Sequence, residues 1–164
     1  MRKAQDNYAF IDGTNLHLSE KELGWKLDTK KFKRYLEETY GVAKAYYFIG
    51  FVAKEQKLYD TLESRGYTLV FKDTFRDKSG KLKGNIDAEL VLQSMTQYRV
   101  YREAIIVTSD GDFACLVKYL IQKKKLRSVI APSKGGCSHL LEQASGTYIC
   151  YIDDLRKKLE YLKY

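Results

Sequence analysis

Short apolar runs alternate with helix-length segments along most of the chain, and this alternation limits the folds that the sequence can adopt. Runs rich in β-branched and aromatic residues predict strands at 7–11, 43–49, 67–71, 103–109, 127–131 and 147–152. Between them, apolar residues recur at i, i+3, i+4 and i+7, most clearly in the segment 113–121, which is the spacing of one helix face. Strands separated by helices are typical of right-handed βαβ units. The sequence therefore predicts an α/β doubly wound fold with a mostly parallel sheet and helices on both faces.

The length of the chain bounds the number of domains. A chain of 164 residues suffices for one domain with a proper hydrophobic core and is short for two with a linker. We therefore expect a single domain over residues 1–164. Helical spacing from Ile152 to Leu162 predicts a C-terminal helix at about 153–162.

Two segments interrupt the alternation. The stretch 16–28 is too polar for a strand and contains Gly24, so we expect a loop or a short helix there. The stretch 72–85 surrounds a Ser-Gly turn signal with five basic residues, and we interpret it as a basic flap beside the sheet. Those residues are Lys72, Arg76, Lys78, Lys81 and Lys83.

Charge favours a polyanionic partner. The chain has 29 basic and 21 acidic residues, a formal charge of +8, and such a surface attracts nucleic acid more than acidic proteins.

Cys115, Cys137 and Cys150 lie far apart without a CxxC pair, which argues against a disulfide framework and a cysteine zinc site. No signal peptide or apolar run of membrane-spanning length is present, so the sequence predicts no membrane association and a cytoplasmic, reducing location.

Four aspartates are expected at the carboxyl ends of the strands, where open α/β sheets bind their ligands. Asp12 ends the first strand, Asp110 and Asp112 follow the fourth, and Asp87 begins the preceding helix. If strands one and four are neighbours, these acids converge, and two carboxylates a few ångströms apart repel by about 4 kcal/mol at an effective dielectric constant of about 20. A hard cation such as Mg²⁺ or Mn²⁺ would neutralise them. Such a site favours hydrolysis of a nucleic-acid backbone.

Each acid also has a purely structural interpretation. Asp12 before Gly13 could form a turn, Asp110 or Asp112 could cap a helix, and Asp87 is favoured by the dipole of the helix that it begins. Taken singly, capping explains each position. Their combination at separate strand ends favours the metal hypothesis.

Particular residues exclude other functional motifs for the segment around Asp12. A DxDGT phosphatase motif needs a nucleophilic aspartate where Phe10 stands, so a phospho-aspartate intermediate cannot form. A dinucleotide fold needs GxGxxG after the first strand, where Gly13 stands alone. No P-loop is present, and His17 and His139 are too few for a histidine-based triad or zinc site.

Three segments resemble the NYN domain, LabA-like branch, of the PIN-like nuclease superfamily. They are FIDGTNL at 10–16, KGNIDAEL at 83–90 and VTSDGDFACLV at 107–117. Family motif positions fall on Asp12 and Asn15, on Lys83 and Asp87, and on Asp110, Asp112 and Phe113, in the family's order over nearly the whole chain. The resemblance implies a Rossmann-like sheet of strand order 3-2-1-4-5, a carboxylate site for Mg²⁺ or Mn²⁺, and cleavage of RNA to 5′-phosphate and 3′-hydroxyl products. Two positions depart from the family pattern, since Gln93 replaces an acid of many relatives and Ser109 replaces a glycine.

The resulting hypothesis assigns a role to each position. Asp12, Asp87, Asp110 and Asp112 would be the catalytic metal ligands, and Asn15 and Ser109 would contact the substrate. The five basic residues of the segment 72–85 would hold the RNA backbone, and Trp25 and Phe75 could stack on bases, although most aromatic residues of a chain lie in its core. The alternatives are an RNA- or protein-binding module with weak or lost catalysis and a Mg²⁺-dependent enzyme for a small phosphate ester. A homodimer through exposed aromatic residues also stays open.

Overall fold

A six-stranded parallel sheet forms the centre of the fold. The structure is a computed structural model that describes residues 5–83 and 85–163. Its strands are Asn7–Asp12 (β1), Val42–Phe51 (β2), Tyr67–Asp73 (β3), Phe75–Arg76 (β4), Leu82–Lys83 (β5), Ala104–Val107 (β6), Leu126–Ala131 (β7) and Ile149–Tyr151 (β8). The sheet order is β3-β2-β1-β6-β7-β8, while β4 and β5 pair with each other as an antiparallel hairpin.

Helices connect these strands. They are Gly13–Leu23 (α1), Thr29–Tyr40 (α2), Gln56–Ser64 (α3), Asp87–Thr96 (α4), Ala114–Gln122 (α5), His139–Ser145 (α6) and Arg156–Leu159 (α7). Among the described residues, no helix is both long and apolar enough to cross a membrane.

The predicted fold class is confirmed. The predicted order 3-2-1-4-5 matches the five strands β3-β2-β1-β6-β7, and the observed sheet continues one strand further. The added strand β8 pairs in parallel with the last three residues of β7 and corresponds to the apolar run at 147–152, which that order did not include. The strand order reverses between β1 and β6, so a cleft opens at their carboxyl ends.

The hydrophobic core has two halves, one on each face of the sheet. Side chains of β1 alternate between them, because successive residues of a strand point to opposite faces: Ala9 and Ile11 belong to one half and Phe10 to the other. The first half is covered by α1, α2 and α3, and the second by α4, α5 and α6. A sheet buried on both faces needs strands that are apolar along their length, which is why the strands were visible in the sequence.

The polar stretch 16–28 is mostly helical. Helix α1 begins directly after Asp12, whose side chain caps it, and ends at Gly24 in the left-handed conformation with φ 72°. Leu16 and Ser19 are buried along its inner face, so little apolar surface is needed and the periodicity in the sequence is weak. The capping aspartate and the glycine stop, rather than hydrophobic residues, define this helix.

The predicted flap and C-terminal helix take shorter regular forms. The stretch 72–85 contains the hairpin β4–β5, and Gly84 lies outside the described residues. At the C-terminus a 3-10 turn Ile152–Leu155 precedes α7, and helical structure ends at Leu159 rather than 162. It ends there because Glu160 forms an antiparallel bridge with Leu27 and the amide of Tyr161 donates to the carbonyl of Lys26.

Candidate metal centre

Three of the four predicted acids meet at the carboxyl ends of β1 and β6. Asp12 is the last residue of β1, Asp110 follows β6, and Asp87 is the first residue of α4. One carboxylate oxygen from each lies within 4.8 Å of the others. The reversal of strand order between β1 and β6 brings these positions together, although they are far apart in the sequence.

Asp12 is the buried member of this cluster. It is 4% exposed; its Oδ1 accepts from the amide of Asn15 at 3.0 Å, and its Oδ2 accepts from Oγ1 of Thr108 at 3.0 Å. Burial raises the pKa of Asp12 to about 6; the two hydrogen bonds lower it, and the carboxylates of Asp87 and Asp110 raise it. The site therefore holds a negative charge that the protein alone stabilises poorly.

Asp87 and Asp110 are partly buried and are held by local hydrogen bonds. The amide of Asp87 donates to Oδ1 of Asn85 at 2.8 Å, and Asp110 caps a 3-10 turn at Gly111–Phe113 by accepting from the amide of Asp112 at 2.8 Å. Burial, and then the charge of Asp110, raise the pKa of Asp87. Asp110 is thus both the cap that one interpretation predicted and a member of the acid cluster that the other predicted.

Asp112 lies outside the cluster of three. It is exposed and is not among the acids whose oxygens lie within 4.8 Å of one another. Its carboxyl group is close enough to interact with Asp87, whose pKa it helps to raise. Asp112 therefore borders the cluster on the side of α4 instead of completing it.

Asn15 and Ser109, predicted as substrate contacts, bind each other. The amide of Ser109 donates to Oδ1 of Asn15 at 3.0 Å, and Nδ2 of Asn15 donates to Oγ of Ser109 at 2.8 Å. These bonds tie the start of α1 to the segment after β6. The pair thereby fixes the distance between the elements that carry Asp12 and Asp110.

Thr108 is the site residue that the sequence did not reveal. Its Oγ1 donates to Asp12 and accepts from the amide of Asp110 at 3.1 Å, and the residue is 1% exposed. A threonine at the end of a β-branched strand has no distinctive sequence pattern. Its position beside the motif SDGD is the one available signal.

The basic residues of the segment 72–85 differ in their contacts. Lys72 forms an ion pair with Glu89 at 3.2 Å, and Lys83 lies 3.9 Å from Oδ2 of Asp77. Arg76 donates to the carbonyl of Gly80 at 2.9 Å across the hairpin turn. The exposed residues of this stretch include Arg76, Lys78, Lys81 and Lys83.

Of the two aromatic residues proposed to stack on bases, one is unsuitable. Trp25 is 5% exposed and donates from Nε1 to Asp153 at 2.8 Å, so it belongs to the core. Phe75 is 62% exposed at the base of the hairpin. His17 packs edge-on against Tyr47, with ring centroids 6.4 Å apart, and is not a member of the acid cluster.

A tight packing contact fixes the start of α1. A Cβ atom added to Gly13 would lie 2.7 Å from the carbonyl oxygen of Phe48 and would overlap the ring of Tyr47. Only glycine fits between α1 and β2 at this point. The glycine next to Asp12 is therefore a requirement of close helix–strand packing.

Comparison with known proteins places the chain in a family. The family model of the NYN domain matches residues 8–153. The chain belongs to the NYN domain family. NYN domains are a PIN-like nuclease family and are generally nucleases, so the cluster of three acids lies in a fold that commonly carries such chemistry.

Two individual similarities extend over most of this NYN domain. It is 26% identical over 161 residues to the Low amplitude and bright protein LabA of Synechococcus elongatus, an alignment that covers 92% of this chain and 86% of LabA. It also resembles the crystal structure of a protein of unknown function from Vibrio parahaemolyticus, with a TM-score of 0.78 at 19% identity, covering 97% of this chain and 99% of that one. The structural similarity supports the fold.

Proposed function

We propose that this NYN domain is a metal-dependent ribonuclease, with Asp12, Asp87 and Asp110 as ligands of Mg²⁺ or Mn²⁺. The observation that carries the proposal is the convergence of three carboxylates, one of them almost fully buried. None of the ion pairs formed by residues 5–83 and 85–163 involves these three side chains. A bound metal ion would therefore offset the repulsion between the three carboxylates.

The arrangement of the acids suits a small, hard cation. Oxygens on opposite sides of Mg²⁺ lie about 4.2 Å apart, since each bond is about 2.1 Å. The oxygens of the three carboxylates lie within 4.8 Å of one another, which is of the same order as this separation, so one ion would contact all three once the side chains draw closer around it. Each oxygen of Asp12 accepts one hydrogen bond and retains a second lone pair for an ion. Oxygen-only ligands favour Mg²⁺ and Mn²⁺ over softer metals.

A bound divalent cation would supply a Lewis acid that lowers the pKa of water and stabilises the charge developing on a phosphodiester. The protein residues hold the metal ligands in position. Thr108 and the pair Asn15–Ser109 hold Asp12 and Asp110 at a fixed separation, and preorganised ligands lose little entropy on binding. We assign Asp112, which borders Asp87, to contact with the centre through water.

The substrate assignment rests on charge. The chain carries a formal charge of +8, and in the sequence the hairpin β4–β5, with its exposed basic residues, comes between β3 and α4, the helix that Asp87 begins. Contacts of lysine and arginine with phosphates provide affinity without sequence readout. RNA, rather than a small phosphate ester, makes use of such a surface.

Cleavage assays on labelled single-stranded and hairpin RNA test the proposal. We expect cleavage with Mn²⁺ or Mg²⁺, none with EDTA, and a loss of about a hundredfold or more in Asp110→Asn, since residues behind the ligands alone account for 10–100-fold. Asp154→Asn, an exposed acid away from the cluster, serves as the matched control and should retain its rate. Cleavage that survives both EDTA and Asp110→Asn would overturn the proposal.

The binding module is the second candidate. Gln93, half-buried two turns along α4 from Asp87, occupies a position at which the family resemblance predicts an acid. RNA binding without cleavage across several substrates and both metals would favour this function over the nuclease.

A further inference from the structure

The cavity that contains the three acids also has an apolar wall. Its volume is about 240 Å³, and besides the acids it is lined by Thr14, Asn15, Leu18, Asn85 and Ile86. Leu18 is 68% exposed, whereas Ile86 is 3% exposed. An accessible leucine thus faces a pocket whose other side is strongly acidic.

Helix geometry explains why Leu18 faces the acids. Thr14 and Leu18 are four residues apart in α1, and residues at this spacing lie one above the other on the same helix face. Because Asp12 caps α1, the first turns of this helix extend from the acid cluster outward. A ligand held at the carboxylates would reach Leu18 about one to two helical turns along α1.

A single exposed leucine is common on protein surfaces. Leu18 differs because it shares a cavity with the proposed metal ligands. A molecule that contacts both a cation held by these acids and Leu18 would combine an anionic group with an apolar surface. An RNA nucleotide has this combination, since its phosphate is anionic and the faces of its base are apolar.

We propose that Leu18 is a specificity-determining residue that packs against the base of one unpaired nucleotide whose phosphate lies at the acid cluster. This inference rests on the proposed ribonuclease function and adds to it the residue that contacts the nucleoside. A cavity of about 240 Å³ lies just below the usual range of small-ligand pockets, roughly 300–1,000 Å³, so we expect it to take a single base. The faces of a base within a duplex are covered by its stacked neighbours, so we expect the base that packs on Leu18 to be unpaired.

Steady-state cleavage of single-stranded RNA by full-length Leu18→Ser and Leu18→Phe, with Mn²⁺, tests the inference. For Leu18→Ser we expect KM to rise about five- to tenfold with kcat within about twofold of wild type, because apolar contact area is lost and the acids are untouched. Leu18→Phe should keep or lower KM, since an aromatic ring stacks well on a base. Val100→Ser is the matched control, because Val100 is 62% exposed before the amino-terminal end of β6, opposite the acids.

Two further measurements separate this inference from the proposed function. The Mn²⁺-induced shift in Tm should be equal in wild type and Leu18→Ser, because Leu18 is not a metal ligand. If wild type does not cleave RNA, the proposed function fails, and binding of a fluorescein-labelled single strand still tests Leu18. A change in KM or Kd of less than twofold, or equal weakening of duplex and single-strand binding, would overturn the role of Leu18.

Discussion

The hydroxyl of Thr108 donates a hydrogen bond to Oδ2 of Asp12 at 3.0 Å, across the boundary between β1 and the end of β6. Oγ1 of Thr108 in turn accepts a hydrogen bond from the amide of Asp110 at 3.1 Å. One side chain thereby links two of the three clustered acids. It is not itself charged, so it holds them together without neutralising them.

Thr108→Val should therefore weaken metal binding. Valine has nearly the same shape but cannot donate to Asp12, and a hydrogen bond to a charged group contributes about 1.5–3 kcal/mol. Losing it raises the pKa of Asp12 further, so we expect Mn²⁺ affinity to fall about tenfold or more near pH 7, measured by Tm against Mn²⁺ concentration. Thr108→Ser keeps the hydroxyl and should bind nearly as well as wild type. Equal affinities of the valine and serine variants would contradict the assigned role.

The pKa of Asp12 predicts how the metal-free protein responds to pH. The pKa is about 6 in the folded state, against 3.8 as the ordinary value, so the folded state binds more protons between these values. The contribution of Asp12 to the free energy of unfolding therefore falls as pH rises from about 4 to 6, by about 3 kcal/mol in total, because each pKa unit corresponds to about 1.4 kcal/mol. Above about pH 7, one unit beyond the folded-state pKa, this cost is fully present.

Urea unfolding of wild type and Asp12→Asn from pH 4 to 8, in EDTA, measures this effect. The variant has no titrating group at position 12, so it should gain stability relative to wild type as pH rises. Added Mn²⁺ should stabilise wild type more at pH 7.5 than at pH 5, since the ion competes with the proton. A constant stability difference between the two proteins from pH 4 to 8 would refute the raised pKa.

Gly13→Ala should destabilise the protein and its metal site together. The added methyl group would press on the carbonyl of Phe48 and the ring of Tyr47, and overpacking costs about 1–3 kcal/mol, sometimes more. Because α1 begins at this point and Asp12 caps it, relief of the clash would move the helix away from the acids. We expect a lower urea midpoint and weaker Mn²⁺ binding. Gly135→Ala, whose Cβ would meet nothing within 4 Å, should change the free energy of unfolding by less than about 0.5 kcal/mol.

Several features of the fold could be predicted because their signals are local or periodic. Strands buried on both faces are apolar along their length, so the runs at 43–49 and 127–131 marked β2 and β7. The acids could be identified because each follows or precedes a visible element. Their convergence depended on the reversal of strand order between β1 and β6, and the family resemblance, rather than periodicity, supplied that order.

Other features depend on contacts that the sequence does not display. Thr108 matters through two hydrogen bonds to residues on different elements. Trp25 lies in the hydrophobic core and donates to Asp153, which is far from it in the sequence. Helix α1 buries few apolar residues, so its periodicity in the sequence is weak. Its start is marked by the cap at Asp12. Asp112 is not in the cluster although it is only two residues from Asp110, and the spacing DGD does not show which of the two aspartates joins the other acids.

Asp112→Asn should affect catalysis more than metal affinity. Asp112 is exposed and lies outside the cluster of three, next to Asp87. We expect kcat to fall about 10–100-fold, as for residues that act on a metal site from behind its ligands, with the Mn²⁺ midpoint changing less than threefold. Asp110→Asn should instead shift both quantities. If Asp112→Asn weakened Mn²⁺ binding as much as Asp110→Asn, Asp112 would be a direct ligand.

The hairpin carries three exposed lysines, Lys78, Lys81 and Lys83, which we call the hairpin lysines. They can be replaced without disrupting the turn of the hairpin. Oδ1 of Asp77 accepts from the amides of Ser79 and Lys81 and from Oγ of Ser79, so backbone and serine groups hold the turn. The lysine side chains are exposed, and the ion pair of Lys83 with Asp77 is long, at 3.9 Å. Exposed pairs of this kind contribute little to stability.

Replacing the hairpin lysines together by alanine should weaken RNA binding and flatten its salt dependence. Each phosphate contact on a single strand contributes about 0.7 to the slope of log K against log salt concentration, so three lost contacts reduce the slope by about 2. Fluorescence anisotropy at several NaCl concentrations measures both quantities. Alanine at three exposed lysines on other elements, Lys30, Lys118 and Lys157, removes the same net charge. If the two triple variants lost equal affinity, only the overall charge would matter and the hairpin would not contact RNA.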